Sequence, residues 1–156
     1  MKYVLRINCL VFALLIISTT VFSQEKDGKV LKELVETKHF VFTAQTVLPL
    51  GGAMRQLTSE YDVKLSSDSL ITYLPYFGRA YGPINPGDDG GIKFTSTKFD
   101  YKTKARKKGG WDIMITPKDN RDVRQLNFTI SASGYASLQV SSNNRQSISY
   151  NGYISK

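Results

Sequence analysis

Residues 125–132 read Gln125-Leu126-Asn127-Phe128-Thr129-Ile130-Ser131-Ala132, with an apolar side chain at every second position. Successive side chains of a β-strand point to opposite faces, so a two-residue period predicts a strand with one apolar and one polar face. An antiparallel sheet with one side on a core and the other in water produces this pattern. The stretch therefore indicates a strand of a mainly β protein.

The same period recurs on both sides of this stretch, and Gly, Pro, Asn and Ser clusters separate the runs. The other predicted inward-facing residues are Phe40, Phe42, Ala44, Leu57, Tyr61, Val63, Leu65, Trp111, Ile113, Ile115, Ala136, Leu138, Val140, Ile148, Tyr150 and Ile154. The short gaps predict about eight antiparallel strands in a meander. Such strands form either a barrel-like sheet or a sandwich, and we favour the strongly curved, barrel-like form.

Residues 92–101 depart from the regular alternation. Ile92 and Phe94 share one parity, whereas Phe99 and Tyr101 share the other. One extra residue in a strand reverses the facing of all later side chains, so we predict a bulge near Thr97.

One short amphipathic helix is predicted at residues 27–38, before the first strand. Asp27 is a suitable N-cap, because its carboxylate can accept from free backbone N–H groups of the first turn. Apolar residues recur at helical spacing on one face, at Val30, Leu31, Leu34 and Val35. We expect this face to pack against the sheet.

The first 23 residues have the three-part layout of a cleaved secretory signal peptide. Lys2 and Arg6 precede an apolar run from Cys9 to Ile17, and small or polar residues lead to a predicted cut after Ser23. The apolar run is too short to span a bilayer. We therefore expect a single β-rich domain at residues 24–156, with no transmembrane segment in the mature chain.

Removal of the signal peptide changes what the chain can do chemically. The only cysteine is lost, and 19 basic against 13 acidic residues remain, a net charge of +6. The mature chain therefore has no disulfide and no thiolate nucleophile, and its core must stabilise it alone.

Aromatic residues and one arginine are concentrated after the second predicted turn. This set, the candidate ligand-binding residues, consists of Tyr73, Tyr76, Phe77, Arg79 and Tyr81. Aromatic faces beside a guanidinium can hold a sugar, an aromatic ligand or a carboxylate. The alternative is that the rings fill one end of the β fold.

Five cations lie within seven positions at a predicted hairpin tip, before Gly109-Gly110. They are Lys102, Lys104, Arg106, Lys107 and Lys108. Such a cluster attracts anionic surfaces, although lysines also keep sheet edges soluble. Because the chain is expected to be exported, we exclude nucleic acid as the partner and favour an anionic glycolipid, a polysaccharide or an acidic protein.

Catalytic, metal and cofactor sites find little support in the sequence. His39 is the only histidine, which excludes a histidine-rich metal site and leaves one imidazole for any triad. Asp88-Asp89, within Pro83 to Gly91, could contribute oxygen ligands to Ca²⁺, but a solvated turn fits better. The strand carboxylates Glu60, Asp62, Asp100 and Asp112 have outward parity. We therefore expect no catalytic residues, no metal and no cofactor.

Several motifs taken together resemble a family of exported Bacteroidota proteins, the domain of unknown function 4251. They are Leu74-Pro75-Tyr76-Phe77-Gly78-Arg79-Ala80-Tyr81, Gly90-Gly91-Ile92-Lys93-Phe94, Lys107-Lys108-Gly109-Gly110-Trp111, Val123-Arg124-Gln125-Leu126, Gly134-Tyr135-Ala136 and Ser142-Asn143-Asn144-Arg145-Gln146. The resemblance implies a cell-envelope protein of a Gram-negative bacterium, in the periplasm or at the outer membrane. It implies no activity and no ligand. In this lineage, Asp68-Ser69-Leu70 also resembles an O-glycosylation acceptor, with Ser69 as the modified residue.

Three functional hypotheses follow from the sequence. The first is a non-catalytic periplasmic binding or envelope-associated protein that uses the candidate ligand-binding residues, with a glycan, a lipid or an envelope protein as partner. The second is an interaction module of a larger envelope assembly, which presents its basic hairpin tip to an anionic surface. The third, which we disfavour, is a hydrolase based on the outward carboxylates.

Overall fold

The computed structural model describes residues 28–82 and 90–156. The predicted signal peptide, the Asp27 cap and the Asp88-Asp89 turn lie outside these residues. The described chain begins with helix α1, residues 28–36. Nine strands follow: β1 (Phe40–Pro49), β2 (Arg55–Leu65), β3 (Leu70–Leu74), β4 (Ile92–Ser96), β5 (Phe99–Ala105), β6 (Trp111–Pro117), β7 (Val123–Ile130), β8 (Tyr135–Ser142) and β9 (Ile148–Ser155).

The nine strands form one antiparallel sheet in the order β4-β3-β2-β1-β9-β8-β7-β6-β5. Its two edge strands, β4 and β5, are separated in the chain only by Thr97 and Lys98. The Cα atoms of Ser96 and Phe99 are three residues apart in sequence and therefore at most about 11 Å apart in space. The two edges of the sheet must lie close together at this point. The sheet therefore curls into a nearly closed barrel, which confirms the mainly β, barrel-like prediction.

The predicted bulge near Thr97 is instead a corner between two strands. Ile92 and Ser96 are buried before it, and Phe99 and Tyr101 are half-buried after it, so the parity does reverse there. The predicted run 92–101 thus becomes β4 and β5. The short strand β3 is not among the runs that the alternation predicts.

Asp119, in the β6–β7 loop, fastens this corner. Its carboxylate accepts a hydrogen bond from the Ser96 hydroxyl and from the backbone N–H groups of Thr97 (2.9 Å) and Lys98 (3.2 Å). These hydrogen bonds lower the pKa of Asp119; the bond from Ser96 has the largest effect, and the bond from the Thr97 N–H has the next largest. A single exposed carboxylate therefore holds the two-residue connection between the edge strands β4 and β5.

The barrel interior is filled by the inward residues that the alternation marked. Phe128 lies edge-to-face against Phe40 and Phe42, with ring centroids 5.8 and 5.6 Å apart, a geometry that aromatic quadrupoles favour. The prediction is wrong for Ala132, which lies exposed in the β7–β8 turn. Its strand ends at Ile130, because Ser131 and Tyr135 close the turn through a 2.8 Å backbone hydrogen bond.

Helix α1 buries Leu31, Leu34 and Val35 in the same core. Val30, predicted on that face, is 47% exposed because it lies at the margin of the apolar stripe. The Tyr101 phenol of edge strand β5 donates to the Val35 carbonyl oxygen at 2.9 Å. The helix is therefore attached beside the edge of the sheet, and burial raises the pKa of Tyr101 to about 12.

Strands β1 and β9 approach each other closely at a bulge in β1. The register shifts between Ala44 and Thr46, and Gly152 of β9 lies opposite Ala44. A Cβ atom at Gly152 would overlap the Thr43 carbonyl oxygen. Only glycine fits there, which matches the tendency of strand glycines to mark close backbone approaches.

Candidate functional site

A groove of about 400 Å³ opens between the β1–β2 loop and the segment that follows β3. We call it the end groove. Arg55, Phe77, Arg79 and Gln146 line it, together with residues 49–53 and Gly78. The volume is within the range of small-molecule sites.

The segment 75–79 is folded back on itself by Tyr76. The Tyr76 phenol lies within hydrogen-bond distance of the carbonyl oxygens of Arg79 (2.8 Å) and Gln146 (3.0 Å), and its single proton is shared between them. A Cβ atom at Gly78 would overlap this phenol oxygen, so a larger residue there would displace the Tyr76 hydroxyl from these two carbonyl oxygens. The turn brings Phe77 and Arg79 to the wall of the groove.

Backbone pairing fixes this segment to the β8–β9 connection. Tyr81 donates to the Asn144 carbonyl oxygen at 2.7 Å, and Gln146 donates to the Arg79 carbonyl oxygen at 3.0 Å. Ala80 and Arg145 form an isolated antiparallel bridge. The segment is thus held like a short additional strand, although residues distant in sequence provide every partner.

Arg145 joins three loops around the end groove. Its guanidinium pairs with Asp122 at 3.1 Å and lies 5.3 Å from the Tyr76 ring centroid. It also donates to the carbonyl oxygens of Gly90 and Gly91. The Arg145 side chain is largely buried and that of Asp122 is partly exposed, so solvent screens the pair only in part and loss of Arg145 would leave several polar partners without a donor.

The core supports the segment from below through Tyr150. The buried Tyr150 phenol donates to the Pro75 carbonyl oxygen at 2.7 Å. Burial raises the pKa of Tyr150, and burial also raises the pKa of Tyr76, opposed by the nearby Arg145 cation. Both phenols therefore stay protonated and keep donating at neutral pH.

The end groove is electropositive and partly aromatic. The Arg55 guanidinium lies 4.9 Å from the centroid of Phe77, whose side chain is 43% exposed. Among the described residues that line the groove, none is acidic. Nor does the structure, over residues 28–82 and 90–156, pair Arg55 or Arg79 with a carboxylate.

The five candidate ligand-binding residues do not form one surface. Phe77 and Arg79 line the end groove, and Tyr76 supports their backbone. Tyr73 lies on the outer face of β3, where its ring stacks on Tyr61 with centroids 5.5 Å apart and the Lys93 ammonium lies 4.7 Å away. Tyr81 is 70% exposed and contributes backbone pairing.

The five clustered cations do lie on a hairpin, formed by β5 and β6, which we call the basic hairpin. Lys102 and Lys104 are on β5, and Arg106, Lys107 and Lys108 are in its tip; all are exposed. The tip closes through Arg106, whose N–H donates to the Gly110 carbonyl oxygen at 3.0 Å. A Cβ at Gly110 would overlap the Ile130 carbonyl oxygen, and its φ of +86° also favours glycine.

The remaining candidate positions are placed as follows. Ser69 lies in the β2–β3 turn, where its hydroxyl is 3.1 Å from that of Ser66. Asp62 pairs with Lys64 at 3.1 Å, Asp100 with Lys118 at 2.7 Å and Asp112 with Arg106 at 3.6 Å. The hydrogen bond from Lys118 lowers the pKa of Asp100, which makes it a poor proton donor. Within the described ranges, no three metal-ligating side chains cluster.

Sequence reasoning missed Arg55, Arg145 and Gln146. Arg55 follows the turn at Pro49 to Gly52, so its place beside a loop was readable from the sequence. Its approach to Phe77 was not, because 22 positions separate them. Arg145 and Gln146 lie within a motif that resembles the family, but their roles depend on partners in other loops.

No helix in the described part of the chain is long and apolar enough to cross a membrane. No curated protein matches the sequence. Among solved structures, the chain is similar to the crystal structure of a DUF4251 family protein from Bacteroides eggerthii DSM 20697. The two share 18% identity over 85% of this chain and 87% of the other, with a TM-score of 0.59, which supports the fold.

A sequence model of the family described as domain of unknown function (DUF4251) matches residues 23–154. The match spans every strand described above, from β1 to Ile154 of β9. The chain therefore belongs to the DUF4251 family.

Proposed function

We propose that the chain is a non-catalytic exported protein of the bacterial envelope that binds a small anionic ligand in the end groove. The observation on which this proposal depends is the groove itself, where Arg55 lies over the exposed Phe77 ring, Arg79 also lines the groove, and no lining residue among those described is acidic. The predicted signal peptide and the Bacteroides relative support the envelope location.

The chemistry of the lining favours an anion that also has a flat or apolar part. A guanidinium offers a planar fork of donors that matches a carboxylate or a phosphate. The Phe77 ring provides an apolar face next to it, so an aromatic or sugar acid fits better than a bare inorganic ion. Gln146 also lines the groove, and its bond with the Tyr76 hydroxyl uses only the Gln146 backbone carbonyl. The Gln146 side-chain amide can therefore contact the ligand.

The fixed backbone supports binding in a second way. Tyr76, Arg145 and the bridge at Ala80 hold the loops before any ligand arrives. A site that is already ordered loses little conformational entropy on binding, so a few contacts are enough for affinity. The proposal is of binding without reaction, because the strand carboxylates Asp62, Asp100 and Asp112 are each paired with a cation.

The proposal can be tested with benzoate and phenyl phosphate as probes, measured by isothermal titration calorimetry. We expect saturable binding that weakens at least tenfold in the double variant Arg55→Gln and Arg79→Gln. The Arg79 backbone contacts persist in this variant, since they involve only its carbonyl oxygen. The matched control is Arg121→Gln together with Arg124→Gln, which removes two exposed charges outside the groove.

Equal binding by the two double variants would contradict the proposed site. Binding that persists in the groove variant but disappears after Tyr135→Ala, on the outer face of β8, would move the site elsewhere. Unfolding temperatures of all variants should agree within a few degrees, so that a lost signal reports the site and not the fold.

A second candidate contact is the basic hairpin, which we propose meets an anionic surface of the envelope. It is favoured by an imbalance of charge: of its five exposed cations, only Arg106 has a carboxylate partner among the described residues, at 3.6 Å in Asp112. Retention on a dextran sulfate column that is lost in the variant Lys104→Ser, Arg106→Ser, Lys107→Ser would support this contact. Unchanged retention would remove it.

A further inference from the structure

The basic hairpin carries its cations without a built pocket. Four of the five are lysines, on two strand positions and two tip positions, and every one is exposed. Lysine is a flexible, strongly hydrated point charge, whereas an arginine fork suits one fixed anion. This arrangement matches a surface with many mobile negative charges better than a single bound group.

A second groove lies on the outer face beside these cations. It has a volume of about 310 Å³, crosses β5, β6 and β7, and is lined by Lys102, Lys104, Asp112, Met114 and Asn127 among others; Asp112 is the carboxylate already paired with Arg106. Cross-strand pairing places Met114 directly between Lys102 and Asn127. Met114 is 42% exposed, so an apolar side chain is presented to solvent within a basic surface.

We propose that the basic hairpin docks on an anionic lipid bilayer, with its cations on lipid phosphates and Met114 at the boundary of the acyl chains. The inference rests on the proposed contact of this hairpin with an anionic surface and names the surface. Interfacial binding elements combine basic residues with apolar side chains on one face, as here. An acidic polysaccharide offers the charge but nothing apolar for Met114.

The test is cosedimentation of the purified protein with vesicles of 70% phosphatidylcholine and 30% phosphatidylglycerol, at 50 mM and 500 mM NaCl. A cation near an anionic leaflet contributes about a fivefold gain in binding at moderate ionic strength. We therefore expect the variant Lys104→Ser, Arg106→Ser, Lys107→Ser to bind at least tenfold more weakly. Binding to pure phosphatidylcholine should be far below that of the mixed vesicles.

The matched control is Arg121→Ser, Arg124→Ser, Lys156→Ser, which removes the same charge from exposed positions outside the hairpin. We expect this control to change vesicle binding less than threefold. A further variant, Met114→Ser, should reduce binding severalfold at 500 mM NaCl, where screening weakens the electrostatic part and leaves the apolar part.

Three outcomes separate the inference from the broader proposal. Hairpin-dependent retention on dextran sulfate without vesicle binding overturns the lipid inference and leaves the anionic contact standing. Vesicle binding that falls equally in the hairpin variant and its control overturns both, because only net charge then matters. Binding that Met114→Ser does not alter overturns the insertion of this side chain.

Discussion

The loops around the end groove and the basic hairpin both contain a paired arginine, but they hold it in opposite ways. Beside the groove, Arg145 is largely buried, with 17% of its side chain exposed; it is paired with Asp122 at 3.1 Å and bonded to carbonyl oxygens of another loop. In the hairpin, Arg106 is exposed and lies 3.6 Å from Asp112. Buried, multiply bonded charges fix a geometry, whereas exposed pairs contribute little energy. The contacts of Arg145 therefore fix the geometry of the loops beside the end groove, whereas the basic hairpin mainly presents positive charge to solvent.

The largest expected effect comes from removing the two arginines separately. Arg145→Ala should lower the free energy of unfolding by about 2–3 kcal/mol, the loss for a buried pair reduced for the partial exposure of Asp122. Arg106→Ala should lower it by less than about 0.5 kcal/mol. Urea denaturation of both variants measures the difference, and similar losses would show that the two regions are held alike.

An intermediate effect is expected from Tyr76→Phe, which keeps the ring and removes the phenol. The loss of its bond to the Arg79 and Gln146 carbonyl oxygens should lower the free energy of unfolding by about 1 kcal/mol. Phenyl phosphate should also bind severalfold more weakly, because the segment that carries Phe77 and Arg79 is less ordered. The control is Tyr135→Phe, because the Tyr135 ring is exposed and should tolerate the change. Equal destabilisation by the two variants would show that the Tyr76 hydroxyl does not stabilise this segment.

The smallest effect is expected at the strand corner and depends on pH. The pKa of Asp119 is lowered in the folded state, so its stabilising contribution is present above the ordinary carboxyl value of 3.8 and is lost as the pH falls through the lower folded value. Wild type should therefore exceed Asp119→Asn in melting temperature at pH 6, with a difference that shrinks below pH 3.8. A gap that stays constant down to pH 2.5 would show that the charge of Asp119 is not what fastens the corner.

Much of the fold was predictable because it depends on local spacing. The alternation in β7 and β8 marked Leu126, Phe128, Leu138 and Val140, and all four are buried. The change of parity between Phe94 and Phe99 indicated an irregularity at Thr97, but not whether it is a bulge or a corner. Both reverse which side chains face inward. Only the pairing of β4 with β3 and of β5 with β6 shows that it is a corner between two strands.

The candidate site was predictable only in part. Phe77 and Arg79 were marked by composition, and they do lie together in the end groove. Tyr73 was grouped with them by proximity in sequence, yet it lies on the outer face of β3, whereas Phe77 and Arg79 follow the end of that strand at Leu74 and line the end groove. The proximity of Arg55 and Gln146 to Phe77 had no local signal, since it arises from loops that meet at the barrel end.

The sequence by itself determined the strand periodicity, the inward residues, the charge cluster on the basic hairpin and the resemblance to the family. Each of these follows from neighbours along the chain, where the strand period and the turn residues act directly. Only the tertiary structure decided that the sheet curls until β4 and β5 lie close together, and that Arg145 joins three loops around a groove. Those features depend on contacts between residues far apart in the chain, and the local strand period and turn residues do not specify such contacts.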